Sequence, residues 1–143
     1  MKSKHDPLKT VRKLESFSEF QKSKRVASAM QNLAVEEERL ETLQEYLKDY
    51  QNSGSDISGT VSAGLIRGRH DFLNTLTRVV DDQKERVELL RGVVEQEVNV
   101  WRKAKARLGA VDQFLGRKQE QQKREQEKRE QARLDESARH LYS

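Results

Sequence analysis

From Ile66 to Leu115 an apolar residue returns at every seventh position: Ile66, Leu73, Val80, Val87, Val94, Trp101, Leu108 and Leu115. In a chain that is only 34% hydrophobic, such a run without a miss is far from chance. A strict seven-residue period places one narrow stripe along an α-helix and makes that helix supercoil around a partner. The repeat therefore predicts a slim coiled-coil rod. Function on such a rod belongs to its surfaces and ends.

Composition agrees. Charged residues make up 36% of the chain and aromatics 6%, and Pro7 is the one proline. Too few residues are apolar to fill a wide globular core, but enough are to fill a seam. The net charge of +4 is unevenly spread. The charged residues of 1–25 are mostly basic and those of 26–60 mostly acidic, a division that steers partners of opposite charge. There is no cysteine, hence no disulfide framework or thiolate metal site. Met1 to Thr10 has lysines with no apolar stretch behind them, and no 18-residue apolar run exists. A soluble cytoplasmic protein is expected.

One cluster of turn formers interrupts the helical pattern, Asn52-Ser53-Gly54-Ser55-Asp56-Ile57-Ser58-Gly59-Thr60. A first helix is expected over 8–51, a loop over 52–60 and a second helix over 61–137, with Ser58, Thr60 or Ser62 as its cap. In the first helix Val26, Leu33, Leu40 and Leu47 take one core position. Ala29, Glu36, Leu43 and Tyr50 take the other. Upstream, Leu8, Val11, Leu14, Phe17 and Phe20 are spaced by three, which drifts out of the frame and predicts an irregularity near 18–23. In the second helix the other core position is Arg69, Leu76, Gln83, Leu90, Glu97, Ala104 and Val111. A further apolar strip, Phe72, Val79, Val93, Val100 and Phe114, runs beside the seam.

Two long helices joined by one short loop imply an all-α fold, an antiparallel coiled-coil hairpin spanning 1–143 as a single unit. Pairing outward from the loop, the numbers of facing residues should add up to about 112. That sets Leu40 against Phe72 and Leu73, Leu33 against Val79 and Val80, Val26 against Arg86 and Val87, and Val11 against Trp101. On this register the pairing ends by about residue 108. Residues 116–137, in which Lys-Arg-Glu-Gln occurs twice, then form an unpaired charged overhang. Its i,i+4 ion pairs support an isolated helix only weakly.

Catalytic signals are absent. His5, His70 and His140 are far apart and have no ligand-spaced neighbours. The two glycines of Gly64-Leu65-Ile66-Arg67-Gly68-Arg69 lack the spacing and the preceding strand of a phosphate loop. A thin helical pair desolvates no carboxylate strongly enough for acid–base work. Neither an enzyme, a metal site nor a cofactor is expected. Nucleic-acid binding is disfavoured too, because glutamates are mixed through the basic tail and no aromatics interleave with its cations. Tyr46 and Tyr50, four apart beside the loop, and Phe72 and Leu76 on the returning helix are interface-type residues.

Leu43-x-x-Tyr46-x-x-x-Tyr50 before the loop, Phe72-Leu73-x-x-Leu76 after it, Val98-x-x-Trp101-x-x-Ala104, and a Glu/Arg/Lys/Gln tail ending in Asp135-Glu136 together resemble the flagellar FliJ family. The resemblance covers nearly the whole chain. It implies a small component of the flagellar type III export apparatus, located at the cytoplasmic face of the inner membrane. Its form would be a coiled coil like the central stalk of rotary ATPases. The implied partners are the export ATPase ring (FliI-like), the cytoplasmic domain of the export-gate membrane protein (FlhA-like) and export chaperones. The gate-contacting patch would map to Leu43, Tyr46, Tyr50, Phe72, Leu76, Val79 and Gln83. Two positions depart from the family pattern, which often has glutamine where Arg39 stands and histidine where Gln83 stands. The alternatives are the stalk of an injectisome secretion system and a generic scaffold coiled coil.

Overall fold

The fold was read from a computed structural model of the chain, which describes residues 6–53 and 62–142. Two α-helices account for almost all of them: α1, Pro7–Ser53, and α2, Ala63–Leu141. Both starts follow from local chemistry. Proline at the first helical position gives up no needed hydrogen bond. The Asp6 side chain accepts from the Leu8 amide at 3.0 Å, and its carbonyl accepts from the Lys9 and Thr10 amides. At α2 the Ser62 hydroxyl accepts from the Leu65 amide at 3.3 Å, which makes Ser62 the capping residue. The other two candidates, Ser58 and Thr60, lie outside the described residues, as does most of the expected loop. Asn52 and Ser53, expected in that loop, are helical. Ser53 closes the end by donating from its hydroxyl to the Tyr50 carbonyl at 3.0 Å. The tail is helical through Leu141, four residues further than expected. Basic Arg139 and His140 in its last turn complement the helix dipole.

The helices contribute to two compact units, residues 22–101 and residues 1–21 with 102–143. In the unit formed by 22–101, α1 turns Val26, Ala29, Leu33, Glu36, Leu40, Leu43, Leu47 and Tyr50 inward, the heptad frame expected from the sequence. From α2 the seam receives Arg69, Leu73, Leu76, Val80, Gln83, Val87, Leu90, Val94, Glu97 and Trp101. Val87 is the most deeply buried of these, at 1% exposure. Ile66, at the head of the repeat, is instead 59% exposed. It sits in the first turn of α2, before the packed seam begins at Arg69.

The helices run antiparallel within this unit: Tyr50 meets Arg69 and Phe72, while Glu36, further back, meets Gln83 and Arg86. The register differs from the expected one. Tyr50 with Phe72 adds up to 122 and Glu36 with Gln83 to 119, against the expected 112. Leu40, Leu33 and Val26 accordingly lie opposite positions further along α2 than the sequence arithmetic gave. The reason is that a seven-residue repeat looks the same after a slip of seven, so periodicity fixes the stripe and leaves the register open.

In the other unit, α2 continues the same frame with Ala104, Leu108, Val111, Leu115 and Lys118 turned inward. The α1 frame carries back to Glu19, Glu15, Arg12 and Leu8, so this pairing leans on ions. Arg12 bonds Asp112 at 2.6 Å, Glu15 meets Arg107 at 3.6 Å and Asp6 meets Lys118 at 3.9 Å. Pairing therefore extends to residue 118. Leu115 is 8% exposed, and the overhang begins after Lys118 rather than at Gly116. The irregularity expected near 18–23 does not form, since α1 is unbroken there. Steps of three fall short of a helical turn by 60° each, so Val11, Leu14, Phe17 and Phe20 wind off the seam and stay exposed.

Candidate functional site

The residues singled out for partner binding all fall in the unit formed by 22–101. Tyr46 and Tyr50 stand one turn apart near the end of α1, and Phe72, Leu76, Val79 and Gln83 follow one another at helical spacing on α2. Their burial divides them. Leu76 is buried, and Leu43, Tyr50 and Gln83 are half-buried. Tyr46 is 52% exposed, and Phe72 and Val79 are exposed to a similar degree. Large side chains left open beside a packed seam are available to a partner at little cost in folding.

Two clusters organise these residues. In the first, the Tyr50 and Phe72 rings lie 4.8 Å apart at 57°, a tilted aromatic pair. The Arg69 guanidinium sits 5.2 Å from the Tyr50 ring centroid and donates to the Tyr50 carbonyl at 2.9 Å. That carbonyl belongs to the last turn of α1 and also accepts from the Ser53 hydroxyl, so Arg69 joins Ser53 in capping α1, from across the seam.

The second cluster centres on Glu36, the one buried charged or polar side chain among the described residues, at 7% exposure. The Gln83 amide nitrogen donates to its carboxylate at 2.7 Å and to its backbone carbonyl at 3.0 Å. Arg39, one turn on, bonds the carboxylate at 3.0 Å, and Arg86 approaches it at 3.5 Å. No buried side-chain polar atom among the described residues lacks a partner. The bond from Gln83 holds the Glu36 carboxyl below its usual range. Burial pushes the other way, and Arg39 and Arg86 add to the lowering. A carboxyl kept ionised in this way is a poor general acid.

Leu43 and Gln83 share a shallow surface depression with Val35, Glu38, Arg39 and Thr42. Arg39 and Gln83, the two positions that depart from the resembled pattern, thus grip the same carboxylate. Sequence reasoning missed the roles of Glu36 and Arg69. The available signal was a charge standing at a core position of the heptad frame. Among the described residues no cluster of three metal-ligating side chains exists, and no helix is long and apolar enough to cross a membrane.

The fold and the site define an all-α coiled-coil protein whose distinctive surface is an aromatic and aliphatic flank beside a seam that buries Glu36. A family model described as "Flagellar FliJ protein" matches residues 3–143, and the chain belongs to that family. It is a coiled-coil protein of flagellar export, from a family that serves the export apparatus as a non-catalytic component. No curated protein and no solved structure matches the chain.

Proposed function

We propose that this chain works as a central-stalk-like coiled coil of the flagellar export ATPase ring. It links that ring to the cytoplasmic domain of the export-gate membrane protein and escorts export chaperones at the cytoplasmic face of the inner membrane. Its gate contact is the flank formed by Leu43, Tyr46, Tyr50, Phe72, Leu76, Val79 and Gln83. The observation that carries this reading is the exposure of Phe72 and Val79, one turn to either side of buried Leu76, and of Tyr46, one turn before Tyr50. Leu43, Leu76, Tyr50 and Gln83 hold the flank in shape, and the exposed three supply apolar contact area with one phenolic hydroxyl.

The charged helix beyond Lys118 supports the stalk part of the reading. Every residue from Gln119 to Tyr142 is exposed, so this stretch is open to an enclosing partner. The test is binding by the purified full chain. It should associate with its cognate export ATPase and with the gate protein's cytoplasmic domain. Tyr46→Ala and Phe72→Ala should weaken the gate interaction alone. A chain that binds neither protein overturns the proposal.

A further inference from the structure

The exposed flank is built from both helices, so its shape depends on how far one helix is slid along the other. The apolar stripe does not set that distance. A slip of α2 by seven residues exchanges Val87 for Val80 or Val94, and Leu73 for Ile66 or Val80, so the seam stays apolar. Glu36 responds differently. Its partners from α2 are Gln83 and Arg86. A slip of seven in one direction replaces them with Leu76 and Val79, and in the other with Leu90 and Val93. Either slip presses a buried carboxylate against leucine and valine and takes away every α2 group that satisfies it. Arg39 lies on the same helix as Glu36 and moves with it, so it does not distinguish the registers. An ionised group buried without partners is among the most costly features a fold can carry.

We propose that Glu36 is a positioning residue: by accepting from Gln83 and pairing with the Arg86 guanidinium it locks α1 and α2 into one register and so aligns Tyr46 and Tyr50 with Phe72 and Val79. The aromatic pair is register-specific in the same sense, since a slip of seven puts Leu65 or Val79 where Phe72 meets Tyr50. It lacks the penalty, because leucine and valine also pack against a tyrosine ring. A polar layer that fixes register at the expense of stability is a known device of coiled coils. The functional half of this proposal rests on the flank being the gate contact. The lock itself does not.

The chain contains no cysteine, so register is measurable by placing cysteine pairs in the full-length protein. Glu37 and Arg91 face each other across the seam at 3.7 Å and lie outside the flank. With a short bis-maleimide, Glu37→Cys with Arg91→Cys reports the native register. Glu37→Cys with Lys84→Cys, or with Val98→Cys, reports the two slipped ones. In the native background only the first pair should join.

In the Glu36→Leu background joining should spread to at least one slipped pair, while circular dichroism shows undiminished helicity. Glu36→Gln, which keeps a group able to bond Gln83, should restore most of the single-register pattern. That variant also serves if the leucine chain assembles poorly. Joining confined to the native pair in Glu36→Leu overturns the lock, whatever binding shows. Register spreading with a matching loss of gate-domain binding supports both halves. Spreading with undiminished binding overturns the reading of the flank as a register-dependent gate contact and leaves the lock standing.

Discussion

Gln83 donates twice to Glu36, to its carboxylate at 2.7 Å and to its backbone carbonyl at 3.0 Å. One amide from α2 thus satisfies both a buried charge on α1 and the main chain beneath it. Neither residue is apolar, yet each occupies a seam position that a more stable coiled coil would give to leucine. Their removal should therefore have opposite consequences depending on whether one partner goes or both. Gln83→Leu leaves the carboxylate buried with its arginines alone and should lower the thermal midpoint. Glu36→Leu combined with Gln83→Leu removes charge and donor together and should raise the midpoint above that of the parent chain. Thermal unfolding followed by circular dichroism decides. A double variant less stable than the single one would show that packing, not polarity, rules this layer.

The same carboxylate predicts a response to acid. Its folded-state pKa is depressed, chiefly by the Gln83 bond. The stability this provides is fully present above the pKa of the unfolded chain. It is lost as pH falls through the lower folded value. Between neutrality and about pH 5 the contribution of Glu36 should be constant, and it should fade on further acidification. Comparing the midpoint against pH for the parent and for Glu36→Gln isolates it, because the variant lacks the titrating group. Parallel curves below pH 5 would sink this account.

Tyr46 and Tyr50 are alike in sequence and should separate in experiment. Tyr46 is 52% exposed, so Tyr46→Ala should change stability by no more than about 0.5 kcal/mol. Tyr50→Ala removes the ring pair with Phe72 and the cation–π contact with Arg69. Together these are worth about 1–2 kcal/mol, and the midpoint should fall by several degrees. Denaturant titration of the two variants measures the contrast. A decline in gate binding is interpretable as lost contact only for Tyr46, since Tyr50→Ala also loosens the end of α1.

Much of this was legible in the sequence, and what was not has a common cause. The heptad frame of α1 from Val26 to Tyr50 and that of α2 from Arg69 to Leu115 follow from spacing, because burial of a stripe is what a helix pair is for. Ile66 shares the spacing and is exposed, because periodicity marks a face and says nothing about where the partner begins or ends. The register was illegible for the same reason, as a repeat of seven tolerates slips of seven. What breaks that degeneracy is the match of Glu36 to Gln83 and Arg86, visible only once two stretches far apart in sequence are brought together. The three-spaced Val11, Leu14, Phe17 and Phe20 misled in the other direction. A helix exposes such residues more readily than it breaks its hydrogen-bond ladder, and α1 stays regular.

The end of the pairing gives the last contrast. The sequence arithmetic placed Leu115 at or past the end of the paired region, whereas it is 8% exposed, beside ion pairs that reach Lys118. Leu115→Ala should then cost about 2 kcal/mol, toward the lower end for a leucine removed from a buried site, since a two-helix seam relaxes into part of the space. Removal of residues 119–143 should cost almost nothing in midpoint, because the residues described there are all exposed and pairs such as Arg124–Glu120 at 3.1 Å contribute only about 0.3–0.5 kcal/mol each. Ellipticity at 222 nm should still fall with the lost helix. The two measurements together place the boundary. A silent Leu115→Ala, or a truncation that lowers the midpoint as much as that substitution does, would move it away from Lys118.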